Sequence, residues 1–450
     1  MSTTATGGSS YGWRGSEQRV RRRPHPPAPS PCALRAGDEG ENGAGFINPG
    51  LSPRGDRGNR RGSGGCLPVL GGDIESGTWQ RVMLVELNGP RDRHLTVTAI
   101  SGRGNQLAGD CPIKQAVLLV GGLGTRLRPL TYLRPKALVP VMNRPLISYE
   151  IRLLALHGVC DIILAVGYAA DTLREHLGDG SRWGVHLTYR EDPTPLGTAG
   201  AIRNVADLLD DAFFCMNGDL VFDLDLTQIA QRHVEAGATV THALRQVPDI
   251  SQYGLIQCDD AGRVTAFREK VTHDETGRNT VNFGLYVMSR GVVERIPTGV
   301  AYSSEYDLFP RLLDAGLPLY GFLPEASGYW SDVGRLETYL QTSHDVLGGA
   351  LPWASAQVPN GASGGFRGPV DAPAGAVVAE SAQVGPFVSI GEGVRIGPDA
   401  VIRDSVLCDG ATIGAGATLQ DTIVAWGAVV EPGAHHEAGV VMPPGWRAPD

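Results

Sequence analysis

The chain has 450 residues, 42% of them hydrophobic, and a formal net charge of −9 at pH 7. That length holds two or three domains with a sizeable core, and the negative balance excludes a general polyanion binder. No stretch approaches about 18 uninterrupted apolar residues, which argues against a membrane-spanning helix.

The basic residues split unevenly: 36 are arginine and three are lysine, Lys114, Lys136 and Lys270. A solvated surface charge is indifferent to which head carries it. The surviving lysines are therefore candidates for tasks a guanidinium cannot perform. The RRR run at 21–23 leads into PHPPAPSP, which cannot form an apolar signal core. Seven cysteines are scattered without a CxxC pair. They argue against a disulfide framework or a zinc site, and for the cytoplasm.

Residues 1–113 carry 21 Gly and 10 Pro, with 14 Arg and no Lys against 10 acidic residues. They read as a disordered basic Gly/Pro/Arg-rich extension, with neither nucleic acid nor membrane expected as a partner. From Lys114 the texture changes. KQAVLLVGG reads as a buried strand entering a glycine loop, and PLISYEIRLLALHG as a helix, with Pro145 in its first turn and Gly158 at its end. VCDIILAVG, VHLTYRE and AFFCMNGD read as further strands, alternating with helices at ADTLREHLGDG, AGAIRNVADLLDD and DLTQIAQRHVEAG. This alternation signals βαβ units. YGLIQCDDAGRVTAFRE reads as a hairpin and VNFGLYVMS as a strand. YDLFPRLLDAG reads as a helix, LPLYGFL as a strand, and the domain closes at 347 on a helix near RLETYLQTSHDVL. Residues 348–370 read as a linker.

A repeat begins at 371. Val378, Val384, Ile390, Ile396 and Ile402 recur every six residues; after a slip of one, Leu407, Ile413 and Leu419 resume the period. That spacing predicts a short left-handed parallel β-helix of hexapeptide repeats, about three coils, over 371–450.

The chemistry concentrates in GGLGTRLRPLT, residues 121–131, after the first strand. Its glycines free the backbone to aim N–H groups at phosphate oxygens. It lacks the GK[ST] ending of a Walker A loop and the third glycine of a dinucleotide fingerprint. Arg126, Arg128 and the following Lys136 suit a ligand with several phosphate charges. Asp219 ends a buried strand, at the edge where open α/β sheets place ligands. Turn chemistry for Asp219 and a helix N-cap for Asp332 are the plainer readings, and sequence alone does not pair the two. Asp223 and Asp225 alternate with Phe222, Leu224 and Leu226, as a half-buried segment does.

The run GGLGTRLRPLTYLRPKALVPVMNRPLISYEI resembles the signature of the sugar-phosphate nucleotidylyltransferases. Further pieces follow in that family's order: PLGTAGA at 195–201, NGD at 217–219, YGLI at 253–256, REK at 268–270, VNFGLY at 281–286 and YWSDVG at 329–334. Ala137 departs from a proline found in many members. The resemblance implies a Rossmann-like α/β nucleotidyltransferase domain at 114–347, with a mixed, mainly parallel sheet. It also implies formation of a nucleotide-sugar and pyrophosphate from an NTP and a sugar 1-phosphate, with Mg²⁺. PLGTAG together with a hexapeptide tail is most similar to members that make GDP-mannose from GTP and mannose 1-phosphate.

The resemblance assigns Arg126, Lys136 and Lys270 to the phosphates. It assigns Gly121, Gly122, Gly124, Thr125, Gly197 and Thr198 to the nucleotide. Gly254, Glu269, Asn282 and Gly284 go to the sugar, with Glu305 a further candidate, and Asp219 and Asp332 to the metal. A homo-oligomer is expected. Three alternatives stand beside this reading. One is thymidylyl, adenylyl or uridylyl transfer to glucose 1-phosphate. Another is a regulatory paralogue, disfavoured because all five charged site residues are present. The third is an acyltransferase in the β-helix, disfavoured because His435 and His436 come only at its end.

Overall fold

The computed structural model describes residues 69–70, 73–74, 111–167, 169–247, 254–269, 279–324, 328–354 and 365–447. Within the extension, Val69–Leu70 and Asp73–Ile74 pair antiparallel. Lys270 lies outside the described residues, as does the remainder of the extension up to 110.

Among the described residues, nine strands form one mixed sheet. In chain order they are β1 (Gln115–Val120), β2 (Asp161–Val166), β3 (His186–Glu191), β4 (Ala212–Asn217), β6 (Val240–Gln246), β7 (Gly254–Cys258), β8 (Val264–Glu269), β9 (Thr280–Ser289) and β10 (Leu319–Phe322). A separate two-stranded ribbon joins β5 (Leu220–Phe222) to β11 (Trp330–Asp332). The sheet runs β8-β7-β9-β4-β1-β2-β3, with β6 branching from β9 and β10 pairing with β6. β4, β1, β2 and β3 are parallel; β9 joins antiparallel to β4.

The parallel strands are apolar on both faces because helices cover both. Ala116, Leu118, Ile162, Leu164, Phe214 and Met216 enter one core, while Val117, Ile163, Ala165, Phe213 and Cys215 enter the other. This is the strand period of two made visible. The longer helices are α1 (Ile147–Leu156), α2 (Ala170–Leu177), α3 (Gly197–Asn204), α4 (Leu226–Glu235), α5 (Phe309–Asp314) and α6 (Leu336–Leu347). Pro145 falls just before α1, in a two-residue strand rather than in the helix. Asp225 caps α4, accepting from the N–H groups of Thr227 and Gln228 at 3.0 and 3.3 Å. That cap is a definite role where the alternation suggested only a half-buried segment. Cys215 and Cys408 are buried thiols outside any disulfide.

Residues 365–441 form parallel rungs on three faces. Val377 pairs with Arg395 and Gln383 with Val401, a coil of 18; Arg395 then pairs with Thr412 and Val401 with Thr418, a coil of 17. The one-residue slip in the repeat is thus a shortened coil. One face has four rungs and the other two have five each, more than the three coils expected, because rungs from Gly365 and up to Val441 extend the stack beyond the regular repeat at both ends.

The β-helix packs on the α/β domain. Val406, Cys408, Ile423 and Ala425 share a core with Leu127, Val139, Val141, Tyr149, Val333 and Tyr339, and Leu351 and Ala354 are buried there too. The Tyr339 hydroxyl donates to the Pro140 carbonyl at 2.6 Å, and the Arg134 guanidinium lies 4.9 Å from the Trp426 ring centre. Trp426 of the repeat domain and Tyr339 of α6 therefore brace the segment that carries Lys136.

Candidate active site

The strand order places β2 and β4 on opposite sides of β1. The crossovers diverge there and open a crevice at the carboxyl ends of these strands. A cleft of about 660 Å³ occupies it. Its wall includes Gly121, Gly122, Gly124, Thr125, Arg126, Lys136, Gly197, Thr198 and Asp219. Nine of the expected site residues are thus brought together from four separate segments.

The glycine loop is held in shape locally. Gly124 has φ +61°, and a Cβ there would stand 2.9 Å from Thr131 and 3.1 Å from Lys136. Thr131 Oγ1 donates to the Gly124 carbonyl at 2.8 Å, tying the loop to the segment before Lys136. Gly218 lets β4 turn against β1: its N–H donates to the Leu119 carbonyl at 3.0 Å, and a Cβ would sit 2.9 Å from that oxygen. Arg128 is not part of the cleft wall; it stacks on Tyr132, 4.6 Å from the ring centre.

Asp219 and Asp332 meet through the ribbon. Asp332 pairs with Leu220, and the Val333 N–H donates to the Asp219 carbonyl at 3.0 Å. Asp332 is therefore a strand residue; Arg335 takes the N-cap position of α6. Lys136 Nζ forms an ion pair with Asp219 Oδ2. A Cβ on Gly334 would lie 3.1 Å from Asp332 Oδ1 and 3.5 Å from Arg126 Nη2, so all four charged groups converge. Burial first, and then the Asp219 charge, push the Asp332 carboxyl up to about 6, against the opposing pull of Lys136, Arg126 and Arg335. Asp332 Oδ1 is buried with no hydrogen-bond partner.

That orphaned oxygen, beside a second carboxylate, fits a hard divalent cation, which takes oxygen ligands and leaves the remaining positions to water and phosphate. The two aspartates would hold it.

The residues expected at the sugar sit apart from this cleft wall. Gly254 pairs with Glu269 across the β7–β8 ladder. Gly284 has φ +88° and approaches Asn217, whose Nδ2 would be 3.0 Å from a Cβ there. Asn282 Oδ1 accepts the Gly284 N–H at 3.1 Å, and its Nδ2 donates to the Tyr286 hydroxyl at 2.6 Å. Tyr286 in turn donates to Glu305 at 3.1 Å, and Glu305 accepts from Thr198 at 3.1 Å. One chain of hydrogen bonds thus links Asn282 to the PLGT segment, and Glu305 is a partner within it rather than a solvated acid.

Two site residues escaped the sequence reading. Asp192 is buried in the cleft wall at the end of β3; Asn204 donates to its Oδ1 at 2.9 Å, and burial raises its carboxyl. It follows the strand directly, which was its only signal. Glu150 is fully buried on α1, and its Oε1 accepts the Leu220 N–H at 2.9 Å. Its signal was a carboxylate on the apolar stripe of a helix, three residues after Ile147 and four before Leu154.

The sequence matches the nucleotidyl transferase family over residues 115–348 and the GMPPB C-terminal domain over 366–444. It is 35% identical to a mannose-1-phosphate guanylyltransferase of Mycobacterium tuberculosis over 66% of this chain and 80% of that protein. It is 33% identical to a UTP–glucose-1-phosphate uridylyltransferase of Synechocystis over 52% of this chain and 63% of that one. It is 36% identical to a mannose-1-phosphate guanyltransferase of Yarrowia lipolytica over 50% of this chain and 62% of that one.

Proposed function

The chain belongs to the nucleotidyl transferase family, and from that premise we propose that it makes GDP-mannose and pyrophosphate from GTP and mannose 1-phosphate. The observation that carries the chemistry is the convergence of Arg126, Lys136, Asp219 and Asp332 at the mouth of the β1–β4 crevice. Similarity to mannose-1-phosphate guanylyltransferases, and of residues 366–444 to the GMPPB C-terminal domain, supports the choice of substrates.

A sugar-phosphate oxygen attacks the α-phosphorus in line. A new P–O bond forms, the bond to the β-phosphate bridge breaks, and its electron pair leaves with pyrophosphate. The nucleophile is already anionic at neutral pH, so no strong general base is needed. The protein's work is to bring two anions together and neutralise the leaving group. The loop from Gly121 to Thr125 offers backbone N–H groups to the phosphates. Arg126 lies where a guanidinium fork suits the β- and γ-phosphates. Lys136, a compact charge beside Asp219, is assigned to the α-phosphate. Gly197 and Thr198, in the cleft wall, are assigned to the base and ribose. Lys270 is assigned to the sugar phosphate, and Gly254, Glu269, Asn282 and Gly284 to the sugar. Mg²⁺ held by Asp219 and Asp332 would supply charge neutralisation at the phosphates.

Similarity to the Synechocystis enzyme favours a second reading, uridylyl transfer to glucose 1-phosphate. Pyrophosphate release with each of four NTPs against mannose and glucose 1-phosphates separates the two. GTP with mannose 1-phosphate is expected to be fastest. A tenfold preference for UTP with glucose 1-phosphate supports the second reading instead, and no turnover with any pair overturns both.

A further inference from the structure

The turn between β4 and β5 carries Asp219, and its backbone is held from three directions. The Gly218 N–H donates to the Leu119 carbonyl of β1 at 3.0 Å, and the Asp219 carbonyl accepts the Val333 N–H at 3.0 Å. That ladder bond makes the next pair, Leu220 and Asp332, one whose N–H groups point out of the ribbon. The Leu220 N–H therefore leaves β11 and donates to Glu150 Oε1 on α1 at 2.9 Å. Ile147, one turn earlier on the same face of α1, meets the same turn: a Cβ on Gly218 would lie 3.2 Å from its Cδ1.

A carboxyl is a costly group for this position. Glu150 is 1% exposed, and its Oε2 is buried with no hydrogen-bond partner. A half-satisfied acid in the interior lowers stability where an apolar side chain would not. Burial pushes its pKa well above the usual carboxylate range, yet Oε1 accepts the N–H whether the group is charged or neutral. Among the described residues no other side chain takes up the Leu220 N–H, and Leu220 is itself buried. Without Glu150 the ribbon would lose its tie to α1 at the residue next to Asp219.

We propose that Glu150 is a positioning residue of the metal site: by fixing the Leu220 N–H, it sets the direction in which Asp219 presents its carboxylate to a divalent cation beside Asp332. The proposal rests on the reading that these two aspartates hold that cation. A ligand oriented by an outer partner binds its metal more tightly, because it has less freedom left to lose on binding.

The test reads metal binding without turnover. Mn²⁺ is titrated into the full chain, and the free ion is followed by electron paramagnetic resonance. Asp219→Asn should abolish the site. Glu150→Gln keeps an acceptor oxygen at the same reach and should bind Mn²⁺ like the wild type. Glu150→Met has the same length and no acceptor, and its Mn²⁺ affinity should fall about tenfold. The Mg²⁺ concentration for half-maximal turnover should rise by the same factor, with kcat recovered at saturating Mg²⁺. A group that only supported the fold would lower the melting temperature and leave the Mn²⁺ affinity of the folded protein unchanged. Should Glu150→Met not fold, Glu150→Asp withdraws the acceptor by one methylene and is expected to show the same loss. Wild-type affinity in whichever of these two folds overturns the proposal and leaves the metal reading intact. Wild-type affinity in Asp219→Asn overturns both.

Discussion

The backbone N–H of Val333 donates to the carbonyl of Asp219 at 3.0 Å, and this contact fastens one candidate metal ligand beside the other. Asp332 reaches the cleft only because β11 pairs with β5, which begins one residue after Asp219. Asp219→Asn and Asp332→Asn should each lower kcat/KM by roughly 100-fold or more while the fold is retained, since each removes a charged oxygen ligand. EDTA should abolish turnover in the wild type and Mg²⁺ restore it. Turnover that resists EDTA would remove both aspartates from this role.

The same pair makes metal affinity depend on pH. The Asp332 carboxyl lies near 6 because burial and the Asp219 charge raise it. The sign follows: below about pH 6 a proton occupies the group that the cation needs, and above it the group is free. The Mg²⁺ concentration for half-maximal activity should stay level above pH 6.5 and rise up to about tenfold per pH unit below 6. A level response down to pH 5 would contradict this.

Lys136 pairs with Asp219 and lines the cleft from a segment braced by the β-helix. Lys136→Arg keeps the charge but replaces a compact ammonium with a planar fork. Turnover should fall by roughly 100-fold, with thermal stability little changed. Near-normal turnover would show that any cation suffices.

Asp192 ends β3 in the cleft wall, with Oδ1 held by Asn204 and Oδ2 toward Gly121. A carboxylate there can accept from the N1–H and exocyclic amine of guanine, whereas uracil presents one N–H between two carbonyls. Asp192→Asn should lower kcat/KM for GTP by roughly 10- to 100-fold and narrow its advantage over UTP. Equal losses with both nucleotides would place Asp192 in a purely structural role.

His242 tests the core rather than the site. Its ring sits among Phe309, Phe267 and Tyr286 at 4.6, 5.3 and 5.3 Å, and neither nitrogen has a partner. Burial lowers its pKa to about 3, so the folded protein keeps it neutral. Below its ordinary value of 6.5 the unfolded chain takes up a proton that the folded chain refuses. Stability is therefore full above pH 6.5 and falls as pH drops toward 3. Between pH 7.5 and 5, His242→Phe should lose about 2 kcal/mol less stability than the wild type in urea titrations. Equal losses would mean that the ring is not held neutral.

Much of this molecule was determined locally. QAVLLV and DIILAV are apolar without interruption, so they had to be strands buried on both faces, and the period of six from Val378 had to stack into coils. The glycine loop was also legible, because the positive φ of Gly124 and the arginine and lysine after it are properties of one contiguous run. Scarcity put Lys114, Lys136 and Lys270 forward alike, and the glycine loop just before it distinguished Lys136.

Tertiary structure decided the rest. No sequence pattern pairs Asp219 with Asp332, because a ladder between distant strands leaves no periodic trace in either. Nor could the alternation of polar and apolar residues reveal Asp192 and Glu150, whose importance comes from what lies beside them. The bracing of the Lys136 segment by Trp426 and Tyr339 belongs to the same class. A short-range pattern records what a residue's neighbours in the chain require; an active site is made by neighbours in space.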